Sequence, residues 1–107
     1  MSVLHEHTRL TLLHATRELA RAARRTAASK PLGSEEHDFY AGVNSAAESR
    51  LHPGRAAADD RTWLARHPRA FRDGYMKAEA LISVAVATGA SHVPLPQFAA
   101  PARRRAI

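Results

Sequence analysis

The sequence contains no cysteine, which excludes disulfide bridges and thiolate-held zinc. Aromatic residues are scarce, with one Trp, two Tyr and three Phe among 107 residues, so the core has to be built largely from small side chains and close-packed helices are expected. No stretch reaches the roughly 18 consecutive apolar residues of a membrane span, and the N-terminus lacks the charged segment and apolar run of about 7–15 residues of a secretory signal. A cytoplasmic protein with no membrane association is the expectation.

Catalytic signatures are missing too. The seven histidines include no pair at the i, i+4 spacing of a helical metal site, and there is no His-Glu-x-x-His pattern. Ser34, Ser45, Ser49 and Ser83 have no strand-turn-helix elbow around them, no glycine loop is present to cradle phosphate, and Asp59-Asp60 reads as a helix cap. The chain is expected to be no enzyme, to hold no metal and to need no cofactor.

What is present is positive charge. The formal net charge is +6 and the pI about 11.0, a balance that favours polyanionic partners. It is unevenly placed. Residues 1–30 carry +4, residues 31–51 carry −3 through Glu35, Glu36, Asp38 and Glu48 against Arg50, residues 52–90 carry +2, and the tail from 91 adds +3 through Arg103, Arg104 and Arg105.

The apolar periodicity predicts an all-α fold, a small bundle of three to four helices with a Pro/Arg-rich extended C-terminal tail. From about Val3 to Ala28 there is no Gly or Pro, and a helical projection gathers Leu12, Ala15, Thr16, Leu19, Ala22, Ala23 and Ala27 on one face. Arg17, Arg21, Arg24 and Arg25 fall on roughly the opposite side, with Leu10 and Leu13 at its edge. Lys30-Pro31-Leu32-Gly33 ends this helix. Ser34 followed by Glu35 and Glu36 starts a second, running to about Leu51 with Phe39, Val43, Ala46 or Ala47 and the stem of Arg50 facing inward. His52-Pro53-Gly54 is a stop. A short third helix holds Trp63 and Leu64, and a fourth starts at Pro68 and runs through Phe71, Tyr75, Ala78, Leu81, Ile82 and Ala85 to Gly89.

Residues 1–90 therefore read as one helical domain. Residues 91–107, with Pro94, Pro96 and Pro101, are expected to be extended and largely disordered. The alternation of Val93, Leu95 and Phe98 offers packing on the helices as the alternative.

One pattern recurs. Phe39-x-x-Gly42-Val43-x-x-Ala46 is echoed by Phe71-x-x-Gly74-Tyr75-x-x-Ala78, each inside a helical segment. Glycine costs about 1 kcal/mol relative to alanine within a helix, so two at equivalent places predict a close helix crossing at Gly42 and Gly74, surrounded by Phe39, Phe71, Tyr75 and Trp63. An aromatic-x-x-Gly helix, a Pro-containing loop, a Trp and an aromatic-x-x-Gly-aromatic-x-x-Ala helix together resemble the ribosome modulation factor family. Phe39, Gly42, Pro53, Trp63, Phe71, Gly74, Tyr75 and Ala78 carry the likeness, over about residues 38–80. It implies a small, basic, two-helix cytosolic factor that binds ribosomal RNA and helps to store ribosomes. The chain departs from the pattern at His52-Pro53-Gly54, where the family has Cys-Pro-Tyr or Asn-Pro-Tyr, in a longer Trp63-to-Gly74 spacer, and in the basic helix that precedes the match.

The leading functional expectation is a nucleic-acid-associated protein that meets RNA or the ribosome through Arg17, Arg21, Arg24 and Arg25 and the Arg103-Arg104-Arg105 run. Specificity would come from shape or from exposed aromatics stacking on bases. The alternative is a helical protein-interaction module, a homodimeric regulator or an adaptor, docking through Leu12, Leu19 and the alanine face of the first helix. In either case the arginines also fit a plain solvated face, paired in part to the acidic second helix.

Overall fold

The computed structural model describes residues 3–52 and 61–99. Four helices follow in order among them, α1 (Val3–Ala28), α2 (Glu35–Leu51), α3 (Arg61–Ala65) and α4 (Arg69–Thr88), with no strand. The fold is all-α.

The boundaries follow local chemistry. At the end of α1, Ser29 N–H and Lys30 N–H bond the Thr26 and Ala27 carbonyls at 3.1 Å each, tightening the last turn before Pro31. Ser34 Oγ accepts from His37 N–H at 3.1 Å and caps α2, whose first turn carries Glu35, Glu36 and Asp38 against the positive end of the helix dipole. His37 also ties the two helices together. Its Nδ1 lies 2.8 Å from the Ala27 carbonyl, which only accepts, so the ring donates from Nδ1 to a terminal carbonyl of α1. α4 ends where Gly89 turns left-handed at φ 68° and Ala90 N–H reaches the Ala85 carbonyl at 3.1 Å, a Schellman closure that glycine adopts without a Cβ penalty. The expected Asp59 or Asp60 cap of α3, like Pro53, Gly54 and Arg103 to Arg105, lies outside the described residues.

α2 is the central element. α1 and α4 each pack extensively against it and scarcely touch one another. α1 runs antiparallel to α2, since Ala27 meets His37 at one end while Leu12 and Thr16 share a cleft with Leu51 at the other. α4 runs parallel to α2. Gly42 lies against Phe71 and Tyr75, Gly74 against Phe39, and eleven residues further along α2, Arg50 Nη2 donates to Ser83 Oγ at 3.3 Å. The recurring Phe-x-x-Gly motif thus registers the two helices residue for residue.

Among the described residues, alanines make up eight of the fifteen buried apolar ones, which lets helices approach closely but leaves little apolar area per contact. Leu19, Phe39, Val43 and Ile82 are the largest fully buried side chains. Two details of the projected faces differ. Ala20 is buried and Ala22 only partly, because the covered strip of α1 runs through Thr16, Ala20, Ala23 and Ala27. Arg50 is exposed, its head drawn outward to Ser83. The apolar face of α1 expected to dock on another chain is also spoken for, since Leu19 and the buried alanines are covered by the chain's own α2.

The tail departs most from the expected arrangement. Residues 91–99 are extended, as the prolines require, but they are packed rather than loose. Val93 is buried, and Leu95 and Phe98 lean on the core. Nine extended residues reach about 30 Å, the length of a 20-residue helix such as α4, so this strap returns from the end of α4 to the start of α2. There the Phe98 ring meets Phe39 edge-on at 5.6 Å. Tyr40 Oη anchors it, accepting from Phe98 N–H at 3.0 Å and donating to Gln97 Oε1 at 3.3 Å. The domain boundary expected at residue 90 is therefore misplaced; the packed unit continues through the strap. Tyr40→Phe strands the Phe98 amide while keeping the ring, and is expected to cost about 1–2 kcal/mol in urea unfolding, with hydrogen exchange accelerated at Phe98.

Candidate nucleic-acid interface

The solvent side of α1 carries Arg17, Arg21 and Arg25, with Arg24 at its border with α2. The helix is 26 residues long, about 39 Å at 1.5 Å per residue, and burying Ala15, Leu19, Ala23 and Ala27 on α2 forces the residues opposite them into solvent. Arg17, Arg21, Arg24 and Arg25 are all exposed.

Their internal pairing is partial. Arg21 Nη1 lies 3.2 Å from Glu18 Oε1 within α1, and Arg24 Nη2 lies 3.2 Å from Glu48 Oε1 on α2. Arg17 and Arg25 form no ion pair among the described residues. Arg21 and Arg24 remain 62% and 71% exposed despite their partners, and pairs so open to water contribute only about 0–1 kcal/mol. A phosphate can therefore replace either carboxylate at little cost. At the acidic start of α2, Glu36 Oε2 lies 3.2 Å from Lys30 Nζ.

Aromatic stacking on bases does not fit. Phe39, Tyr40 and Tyr75 are buried, and Trp63, Phe71 and Phe98 are half-buried against other rings. Trp63, His67 and Phe71 form a ladder at the α3–α4 elbow, with centroids 4.5 Å and 4.2 Å apart, and His67 Nδ1 donates to the Trp63 carbonyl at 3.0 Å. The His67 ring is thus stacked on Phe71 and held against Trp63. The sequence signal for this ladder was the four-residue spacing of Trp63, His67, Phe71 and Tyr75, which keeps the rings in line although the helix is broken between Ala65 and Arg69.

The crossing residues come together as a unit. A Cβ built on Gly42 would run into the Phe71 carbonyl oxygen, 2.9 Å from its carbonyl carbon, and one on Gly74 would meet the Phe39 carbonyl in the same way. The contact is reciprocal, each glycine seated on the backbone three residues before the other. Such approach permits Cα–H···O contacts between helices. Tyr75 and Phe39 close over it, both buried. Gly42, Gly74, Phe39, Phe71 and Tyr75 thus hold the scaffold, while the arginines stand on its outer helix. Among the described residues no group of three or more His, Asp or Glu is arranged to hold a metal ion, and no helix is long and apolar enough to cross a membrane.

Comparison of the chain with protein-family models, with curated proteins and with solved structures finds no match to any of them. The likeness to the ribosome modulation factor family rests on the residues quoted for it alone.

Proposed function

We propose that this protein binds RNA, with ribosomal RNA as the natural target, by laying the outer face of α1 along the phosphate backbone. The observation that carries the reading is the exposure of Arg17, Arg21, Arg24 and Arg25 together on one side of a long helix, in a chain of net charge +6. Guanidinium groups suit phosphate because their fork donates two hydrogen bonds at once. Phosphate contacts carry no sequence information, and with every aromatic ring engaged in packing, selectivity would rest on the shape of the RNA. The Arg103-Arg104-Arg105 run would add a second basic contact.

Salt dependence is the test. Each phosphate contact contributes about 0.7–0.9 to the slope of log affinity against log salt. Changing Arg17, Arg21, Arg24 and Arg25 together to glutamine is expected to flatten that slope by about three and to weaken binding at low salt by more than roughly tenfold. Folding should hardly change, because the two ion pairs lost are solvent-exposed. Binding measured on a structured ribosomal RNA fragment and on small subunits at several salt concentrations checks this. A quadruple variant that binds as the parent does, with the same slope, refutes the proposal.

A further inference from the structure

Because α1 and α4 flank α2 and scarcely touch one another, an open cleft of about 200 Å³ remains between them at the end where α1 begins and α4 finishes. Its walls are Leu12 and Leu13 from α1 and Ile82 and Val86 from α4, with Leu51 from the last turn of α2. Leu13 and Val86 are 38% and 51% exposed, and Leu10, at 61%, extends the apolar surface along α1. The hydroxyl of Thr16, which also faces the cleft, is already donated to the Leu12 carbonyl at 2.8 Å. Among the described residues the remaining polar lining is Arg9 and Arg50, and no carboxylate is among them; Ser83 steadies Arg50 at 3.3 Å.

We propose that this cleft is a second binding site, for an acidic amphipathic helix of a partner protein. The size of the cleft decides against a small molecule, since pockets that bury one usually measure about 300–1,000 Å³. Two roughly antiparallel helix walls over an apolar floor form the groove into which a helix sets anchors at i, i+3 or i+4 and i+7, and a helix placed there completes a four-helix arrangement around α2. The sign of the rim selects the partner. Arg9 and Arg50, the charged residues among its described lining, favour glutamate or aspartate beside the anchors, and a second copy of this chain would bring the arginine-flanked Leu10 and Leu13 against like charge. The site borders the RNA face at Leu10 and Leu13 but uses none of Arg17, Arg21, Arg24 and Arg25, and it stands whether or not RNA is bound there.

The experiment uses the full chain, ¹⁵N-labelled, titrated with a peptide of about 18 residues, five helical turns, that carries leucine at the anchor spacing and glutamate beside it. A comparator has lysine for every glutamate. The acidic peptide is expected to shift the amides of Leu12, Leu13, Leu51 and Val86 saturably and to bind at least about tenfold more tightly than the basic one. Val86→Glu, at an exposed position, is expected to weaken it about tenfold or more and leave RNA binding unchanged. The double change Arg9→Glu and Arg50→Glu is expected to reverse the preference between the peptides. Equal binding of the two, no saturable binding of either, or shifts centred away from the cleft overturns the proposal. So does a Val86-dependent dimer of the unliganded protein, or displacement of the acidic peptide by decanoate, which would make the occupant a second copy or a small amphiphile.

Discussion

Gly42→Ala and Gly74→Ala are each expected to destabilise the protein by about 3 kcal/mol or more, although alanine is the better helix former by about 1 kcal/mol. The added methyl group meets backbone, the carbonyls of Phe71 and Phe39, which cannot rotate aside as a side chain does. α2 and α4 would have to separate, and the buried contacts of Phe39, Val43, Tyr75 and Ala78 would open with them. Total stability for a domain of this kind is about 5–15 kcal/mol, so the double variant should not fold. Urea and thermal melts of the single variants decide the matter. A gain in stability from either would mean that the glycine sits in free space and the helices do not cross there.

Ending the chain after Ala90 is expected to cost about 3–5 kcal/mol. The loss has three parts: burial of Val93, about 1.5–3 kcal/mol for a fully buried side chain; the packing of Phe98 on Phe39; and the two hydrogen bonds of Tyr40, each about 1 kcal/mol. Helical circular dichroism should persist at low temperature while the melting transition falls and broadens. Ending the chain after Ala99 keeps all three contributions and should melt close to the parent, and this contrast assigns the effect to the strap. Truncation at residue 90 without loss of stability would show the strap to be dispensable.

The helices were legible in the sequence because their signals are local. Ser34 with its following acids, the left-handed Gly89, and the prolines at 31 and 68 act within a turn of where they sit, and periodicity alone placed Leu19 and Val43 inward. The arginine face of α1 was legible for the same reason: once one side of a helix is buried, geometry leaves the other in water. Even the close approach at Gly42 and Gly74 left a local mark, as two glycines that helix propensity alone disfavours.

What the sequence could not carry is whatever depends on partners far apart in the chain. Pro94 and Pro96 set the backbone of residues 91–99 but say nothing about what lies beneath it, and only the return of the strap to Phe39 and Tyr40 turned an extended tail into part of the core. Tyr40 drew no notice in the sequence because its role rests on a hydrogen bond to a residue 58 positions away. The parallel course of α4 along α2, the capture of the apolar α1 face by α2, and the cleft left between α1 and α4 are likewise decided by which surfaces meet, since hydrophobic burial is non-directional and names no partner.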